Sequence, residues 1–290
     1  MDLGRRVAAV TAPALVRGLL DDAAVFPPGL LPLPDAARAH ARHRSAAHAD
    51  AVGPLVVPSS ALAEPEALEP IGDAALSVTV PAGPAGVADA LAATRFSLRA
   101  LEIPVPDEMT ADSLRSALER VREATDAEVF VEIPRDARRA EVLALLAPLG
   151  CRAKFRTGGV RAELYPPVPE LAEAIEAVVR AGVPFKATAG LHHAVRNTDP
   201  ETGFDQHGFL NILLAVDSAL RGGTDLERLL ADRDAAGIAE RVTCLGEQRV
   251  RAARERFASF GTCSITDPLT ELAGLGLIPD DLAHPQGATA

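Results

Sequence analysis

Two side chains in this sequence could do covalent chemistry as amines: Lys154 and Lys186, the only lysines among twenty-nine basic residues. They occupy similar settings, Ala153-Lys154-Phe155-Arg156-Thr157-Gly158-Gly159 and Phe185-Lys186-Ala187-Thr188-Ala189-Gly190. Wherever a generic cation suffices, this chain uses arginine. An amine can lose its proton and attack a carbonyl, whereas a guanidinium stays charged. Lysine chemistry is therefore the leading expectation.

Strand alternation gives the two lysines company. In residues 152–156, Lys154 and Arg156 share one face while Ala153 and Phe155 take the other. Lys186 stands opposite Phe185 and Ala187. Glu132 alternates against Val131 and Ile133, and Glu102 against Leu101 and Ile103. If the apolar sets pack under outer helices, Glu102, Glu132, Lys154, Arg156 and Lys186 converge from four adjacent strands. Unpaired buried charges cost several kcal/mol each, so such a cluster must compensate itself. It reads either as a site or as an ion network that ties the strands together.

The elements that must hold these residues alternate along the chain. Strands are predicted at Ala23–Phe26, Gly53–Pro58, Ala75–Pro81, Phe96–Pro104, Glu128–Ile133, Cys151–Thr157, Pro184–Ala189 and Phe257–Ile265. Helical patterns lie between them, including one capped by Asp112 with the stripe Leu114, Leu118 and Val121. Eight strands with intervening helices in about 250 residues describe an α/β chain of the (β/α)8 type. The reading is one domain over 1–290, with an N-terminal helix and an enlarged helical insertion or cap at 197–250. No GxGxxG follows the first strand, which removes the main support for a dinucleotide fold.

Composition narrows the classes further. With 48% hydrophobic and 24% charged residues the chain can bury a sizeable core. Nine Phe, one Tyr and no Trp leave aliphatic residues to fill it. A net charge of −11 with dispersed arginines argues against a nucleic-acid surface. No apolar run approaches a membrane span, and Arg5, Arg6 and Arg17 interrupt any signal-peptide core. Cys151, Cys244 and Cys263 are odd in number and form no CxxC pair, which fits reduced thiols in a cytoplasmic protein.

In these motifs the chain resembles the deoxyribose-phosphate aldolases, class I (Schiff-base) enzymes on a (β/α)8 barrel. Lys154-Phe155-Arg156-Thr157-Gly158 is similar to that family's strand-6 motif, whose lysine forms the imine. The stretch Phe185–Gly190 is similar to its strand-7 motif, whose lysine tunes the first. Phe260-Gly261-Thr262-Cys263-Ser264 is similar to a strand-8 phosphate segment, Val56–Ser59 to a strand-2 segment, and Asp22 falls where the family carries a strand-1 Asp. The resemblance implies carbohydrate metabolism, a lyase needing no cofactor, and a small carbonyl or sugar-phosphate substrate, with a homo-oligomer allowed. The family's strand-4 Asp has Glu102 as its nearest equivalent, and its additional strand-5 lysine is absent.

Expected roles follow. Lys154 is the nucleophile, Lys186 the tuning cation, and Glu102 (first choice) or Glu132 the general acid/base. Arg156, Thr157, Gly158 and Gly159 are candidates for holding a substrate anion. Asp22, His192, His193 and Ser264 are further candidates for substrate contact. A second reading joins His192 and His193 to the glutamates around a metal, as an isomerase or hydrolase, although no HxH or HExxH pattern supports it. A third is a barrel that binds a metabolite without turning it over.

Overall fold

The structure is a computed structural model that describes residues 13–283. Its strands are β1 (Leu20–Asp22), β2 (Val52–Pro58), β3 (Leu76–Thr79), β4 (Leu98–Pro104), β5 (Glu128–Glu132), β6 (Arg152–Arg156), β7 (Phe185–Thr188), β8 (Asn197–Thr198), β9 (Asp205–Gln206) and β10 (Phe257–Thr262). Eight of them close into a parallel barrel in the order β1-β10-β7-β6-β5-β4-β3-β2, and β8 with β9 forms a separate antiparallel ribbon. This is the expected (β/α)8 architecture.

The helices are α1 (Leu33–Arg44), α2 (Pro65–Leu68), α3 (Val87–Ala93), α4 (Ala111–Ala124), α5 (Arg139–Leu146), α6 (Val168–Arg180), α7 (Phe209–Leu220), α8 (Leu226–Ala231), α9 (Ala235–Arg256), α10 (Thr266–Gly274) and α11 (Asp280–Ala283). In α4 the spacing of Leu114, Leu118 and Val121 puts all three on one buried stripe. Each fully buried leucine contributes about 1.5–3 kcal/mol against exposure to water. Thr110, not Asp112, caps this helix: its hydroxyl accepts from the Ser113 N–H, and Asp112 sits within the first turn. The apolar core lies between strands and helices, with Phe209, Phe257 and Phe260 stacked along one side.

The first strand lies earlier than expected. Ala23–Phe26 forms turn, and the three residues Leu20-Asp21-Asp22 are the strand instead. Two adjacent acids read as a turn because a strand buries both faces. Here each face holds a cation or imidazole partner, so both carboxylates are accommodated. The eighth barrel strand likewise stops at Thr262 rather than Ile265. The N-terminal helix expected ahead of β1 falls largely outside the described residues.

Between β7 and β10 the chain is enlarged as expected. α7 is buried on nearly all sides, packed against α6, α8, α9 and β10. These helices thicken the flank of the barrel. α9 is broken at Gly246, whose backbone departs from helix (φ 71°). The part of the segment beside the strand ends is the ribbon, where Phe204 packs against Tyr165. Among the described residues, no helix is long and apolar enough to cross a membrane.

Candidate active site

Most barrels of this type fill their interior with branched apolar side chains. Here the inward faces carry charge. Register sets Glu132 beside Lys154 and Lys154 beside Lys186 on consecutive strands. The five residues expected to converge do so, and Asp21 of β1 joins them. Cations and carboxylates then alternate across the barrel. Lys186 Nζ lies 2.5 Å from Asp21 Oδ2 and 2.6 Å from Glu102 Oε1. Lys154 Nζ lies 3.0 Å from Glu102 Oε2 and 3.2 Å from Glu132 Oε2. Arg156 Nε donates to Glu132 Oε1 at 3.0 Å.

Two hydroxyls complete the inner end of this chain of charges: Ser77 donates to Glu102 (2.8 Å) and Ser259 to Asp21 (2.8 Å). The Phe130 ring faces the Lys186 ammonium at 5.3 Å, an attractive cation–π distance. Gly53 is required where it stands, since a Cβ there would meet Asp21 Oδ1 at 2.1 Å.

Burial and neighbours pull these groups in opposite directions. Burial alone would raise the Glu102 carboxyl, yet the attraction of Lys186 and Lys154 outweighs it and holds Glu102 far below the usual carboxylate range. Glu132 is lowered in the same way, burial being outweighed by Lys154 and Arg156. Burial would lower Lys186, but Asp21 and Glu102 raise it above its ordinary value. Asp21 is the exception: its complete burial prevails over Lys186 and pushes it up. It shares that ammonium with a second carboxylate, which also opposes its ionisation.

The position of Lys154 differs from that of Lys186. Lys186 is 1% exposed and locked between two acids, while Lys154, the middle residue of β6, meets Glu132 at the C-terminal end of β5 and has Arg156 beyond it at the end of its own strand. An amine here, flanked by two carboxylates, has partners that can take and return a proton. Because barrel enzymes place their chemistry at the C-terminal strand ends, this is the candidate centre.

Several sequence candidates do other work. Asp22 points away from the interior, to His40 Nδ1 (3.0 Å) and the Ala24 N–H (3.3 Å); strand alternation puts Asp21 inside in its place. The Thr157 hydroxyl donates to the carbonyls of Ala189 (2.7 Å) and Thr188 (3.2 Å) and so ties β6 to β7. Ser264 accepts from the Asp267 N–H (3.2 Å) at the start of α10. Gly158 and Gly190 are in such close contact that a Cβ on Gly158 would stand 2.8 Å from Gly190 Cα and 2.5 Å from Tyr165 Cε1. Gly159 is hemmed in by Leu164 in the same manner. These glycines bring the two turns together; Arg156 is the cation left at their edge.

The histidines do not assemble a metal centre with the glutamates. His193 pairs with Glu271 (2.5 Å), which raises its pKa, and Glu271 also accepts from the Ala194 N–H. His192 Nδ1 lies 3.6 Å from Cys263 Sγ, a pairing the sequence did not reveal. Burial lowers the imidazole and raises the thiol, so both stay neutral rather than forming an ion pair. His207 is held by the Pro166 carbonyl (2.7 Å) and pushed down by burial to about 4. Among the described residues, no three His, Cys, Asp or Glu side chains are grouped to hold a metal ion.

Sequence reasoning missed Asp21, Ser77 and Ser259. The two serines could have been found by the same alternation, since Ser77 stands opposite Leu76 and Val78 on β3 and Ser259 opposite Ala258 and Phe260 on β10. Asp21 could not be separated from Asp22 without the strand boundary.

A closed parallel barrel with a lysine-bearing ionic interior defines the class to which this molecule is compared. No family model matches the chain, and no curated protein does. Among solved structures it is similar to the tetrameric deoxyribose phosphate aldolase from Aeropyrum pernix, at 12% identity over 91% of this chain and 93% of that one, with a TM-score of 0.53. It also matches a protein assigned as a deoxyribose-phosphate aldolase from Toxoplasma gondii ME49 (14% identity, 95% of each chain, TM-score 0.42). A third match is mandelate oxidase (16% identity, 81% of this chain and 76% of that one, TM-score 0.43). The likeness to deoxyribose-phosphate aldolases expected from the motifs is thus present in the fold.

Proposed function

We propose that this chain is a Schiff-base (class I) aldolase or related lyase acting on a small carbonyl or sugar-derived substrate, with Lys154 as the imine-forming nucleophile. One observation carries the reading: Lys154 Nζ stands between Glu102 (3.0 Å) and Glu132 (3.2 Å) in the charged interior, with Lys186 on the adjacent strand. For attack on a carbonyl the ammonium first gives up a proton. Glu132 is the better acceptor, because Glu102 is shared with Lys186 and is held strongly ionised. Condensation then takes that proton back from Glu132 to release the carbonyl oxygen as water and leaves an iminium. That iminium carries the same single positive charge as the ammonium it replaces, so the ionic balance of the interior is kept through the step. It serves as the electron sink while a carbon–carbon bond forms or breaks at the neighbouring carbons.

Roles follow for the other residues. Lys186 and Asp21 fix Glu102 in place, and Arg156 at the edge can receive an anionic substrate group. The A. pernix enzyme is described as tetrameric, and a homo-oligomer is part of the proposal for this chain. The test is borohydride reduction of the intact protein with a panel of small aldehydes and ketones, read by peptide mass. The expected result is a single reduced adduct on Lys154, absent in Lys154→Arg and retained, with altered pH dependence, in Glu132→Gln. A wild-type protein that forms no adduct with any carbonyl overturns the imine and leaves a metabolite-binding barrel.

A further inference from the structure

The barrel has an opening at the N-terminal ends of its strands, the end away from Arg156. A cavity of about 340 Å³, at the small end of the range for ligand pockets, is lined by residues at or before the starts of six strands, among them Gly53, Ala75, Arg99, Glu128, Arg152 and Ala258. Its floor is formed by Ser77, Ser259 and the Asp21–Lys186 pair, the inner end of the ionic chain described above. Lys154 is not among its lining residues. Such an end of a barrel ordinarily serves stability, and a polar hollow there calls for its own account.

Two independent features point to a ligand. The first is charge. Arg44, Arg99, Arg152 and Lys186 line the cavity against two carboxylates, Glu128 and Asp21. Arg152 Nη2 and Arg99 Nη2 share the same Glu128 oxygen, at 2.7 and 3.2 Å, and Arg44 gives one N–H to the Val52 carbonyl (3.3 Å). Each guanidinium has five donors, so most of the donors in this group remain for an anion. The second is His40, a lining residue that is 1% exposed. Its Nδ1 lies 3.0 Å from the Asp22 carboxylate, and its Nε2 is buried without a hydrogen-bond partner. A buried polar atom of this kind destabilises the protein unless it finds a hydrogen-bond partner.

We propose that this cavity is a second binding site, for a small anion that also carries a hydroxyl group. The anionic end sits among Arg44, Arg99 and Arg152, and the hydroxyl hydrogen-bonds with His40 Nε2. A hydroxylated phosphate and a hydroxy acid share that chemistry. The site is independent of imine formation at Lys154.

Isothermal titration of the full chain tests it, with glycerol 3-phosphate and glycerate as probes and inorganic phosphate and glycerol as partial mimics. One of the two hydroxylated anions is expected to bind with one-to-one stoichiometry, and the tighter of them identifies the anionic group. Each partial mimic should bind at least about tenfold more weakly, since it lacks one of the two contacts. Arg44→Met and Arg152→Met should each weaken binding by about tenfold or more, and Arg156→Met, at the other end of the barrel, should leave it unchanged. Arg44 is exposed, so its variant remains decisive should Arg152→Met fail to fold. Two results overturn the site: neither probe binding more tightly than about 1 mM, or binding that is lost in Arg156→Met and kept in Arg44→Met.

Discussion

Replacing Glu102 with Gln keeps the shape of the side chain and removes the charge that Lys186 and Lys154 share. The carboxylate is 1% exposed, with its two oxygens 2.6 Å and 3.0 Å from the two ammonium groups. Taking one partner from a buried ion pair typically destabilises by about 3–5 kcal/mol, because a charge is left without compensation. Each lysine here keeps a second acid, Asp21 at 2.5 Å and Glu132 at 3.2 Å, which places the expected loss near the lower bound, about 3 kcal/mol at pH 7. At roughly 2–4 °C per kcal/mol for a chain of this order of size, melting should fall by about 6–12 °C.

The pH dependence provides the sharper test. Because the folded pKa of Glu102 is depressed, its contribution is present above the ordinary value of 4.5 and is lost as pH falls below it toward the folded value. Each pH unit in that window removes about 1.4 kcal/mol, so the gap between wild type and variant should narrow by about that much at pH 3.5. Urea denaturation at pH 7 and 3.5 measures both quantities. A gap under about 1 kcal/mol at pH 7, or one that widens on acidification, refutes the claim that Glu102 holds the two lysines.

The lysines were legible because two signals agreed on them. Their rarity marked them, and period-two alternation put Lys154, Lys186, Glu102 and Glu132 on the face opposite the aliphatic residues. Alternation works well on β4 to β7, whose strand limits are fixed by flanking turns. It fails on β1, where three residues give no pattern to count and both acids have partners. Residues at strand starts were illegible for another reason. Arg99, Glu128 and Arg152 lie on three different strands with no pattern in the sequence to join them, and only closure of the barrel turns them toward a common hollow. The contact of His192 with Cys263 joins residues 71 positions apart, on loops beyond β7 and β10, which no local periodicity can encode.

Three further outcomes are expected. Asp21→Asn should show the opposite pH trend to Glu102→Gln. The folded pKa of Asp21 is raised, so its contribution is present below 3.8 and lost as pH rises through the folded value; the gap to wild type in urea titrations should shrink above 3.8, and a growing gap would contradict the burial argument. Gly158→Ala places a methyl 2.8 Å from the Gly190 backbone and should destabilise by about 1–3 kcal/mol in a thermal melt; an unchanged melt would mean the two turns do not touch. The cysteines should alkylate in the order of exposure and ionisation. Cys244 is exposed and should react first with iodoacetamide at neutral pH, whereas burial raises the Cys263 thiol and pushes Cys151 up to about 11. At that value only about one Cys151 thiol in several thousand is ionised near pH 7.5, so it should label last. Cys263 is the informative case, since His192 stands 3.6 Å from it: labelling ahead of Cys244 would mean that the imidazole takes the thiol proton, and the pair would then be a nucleophile rather than two neutral neighbours.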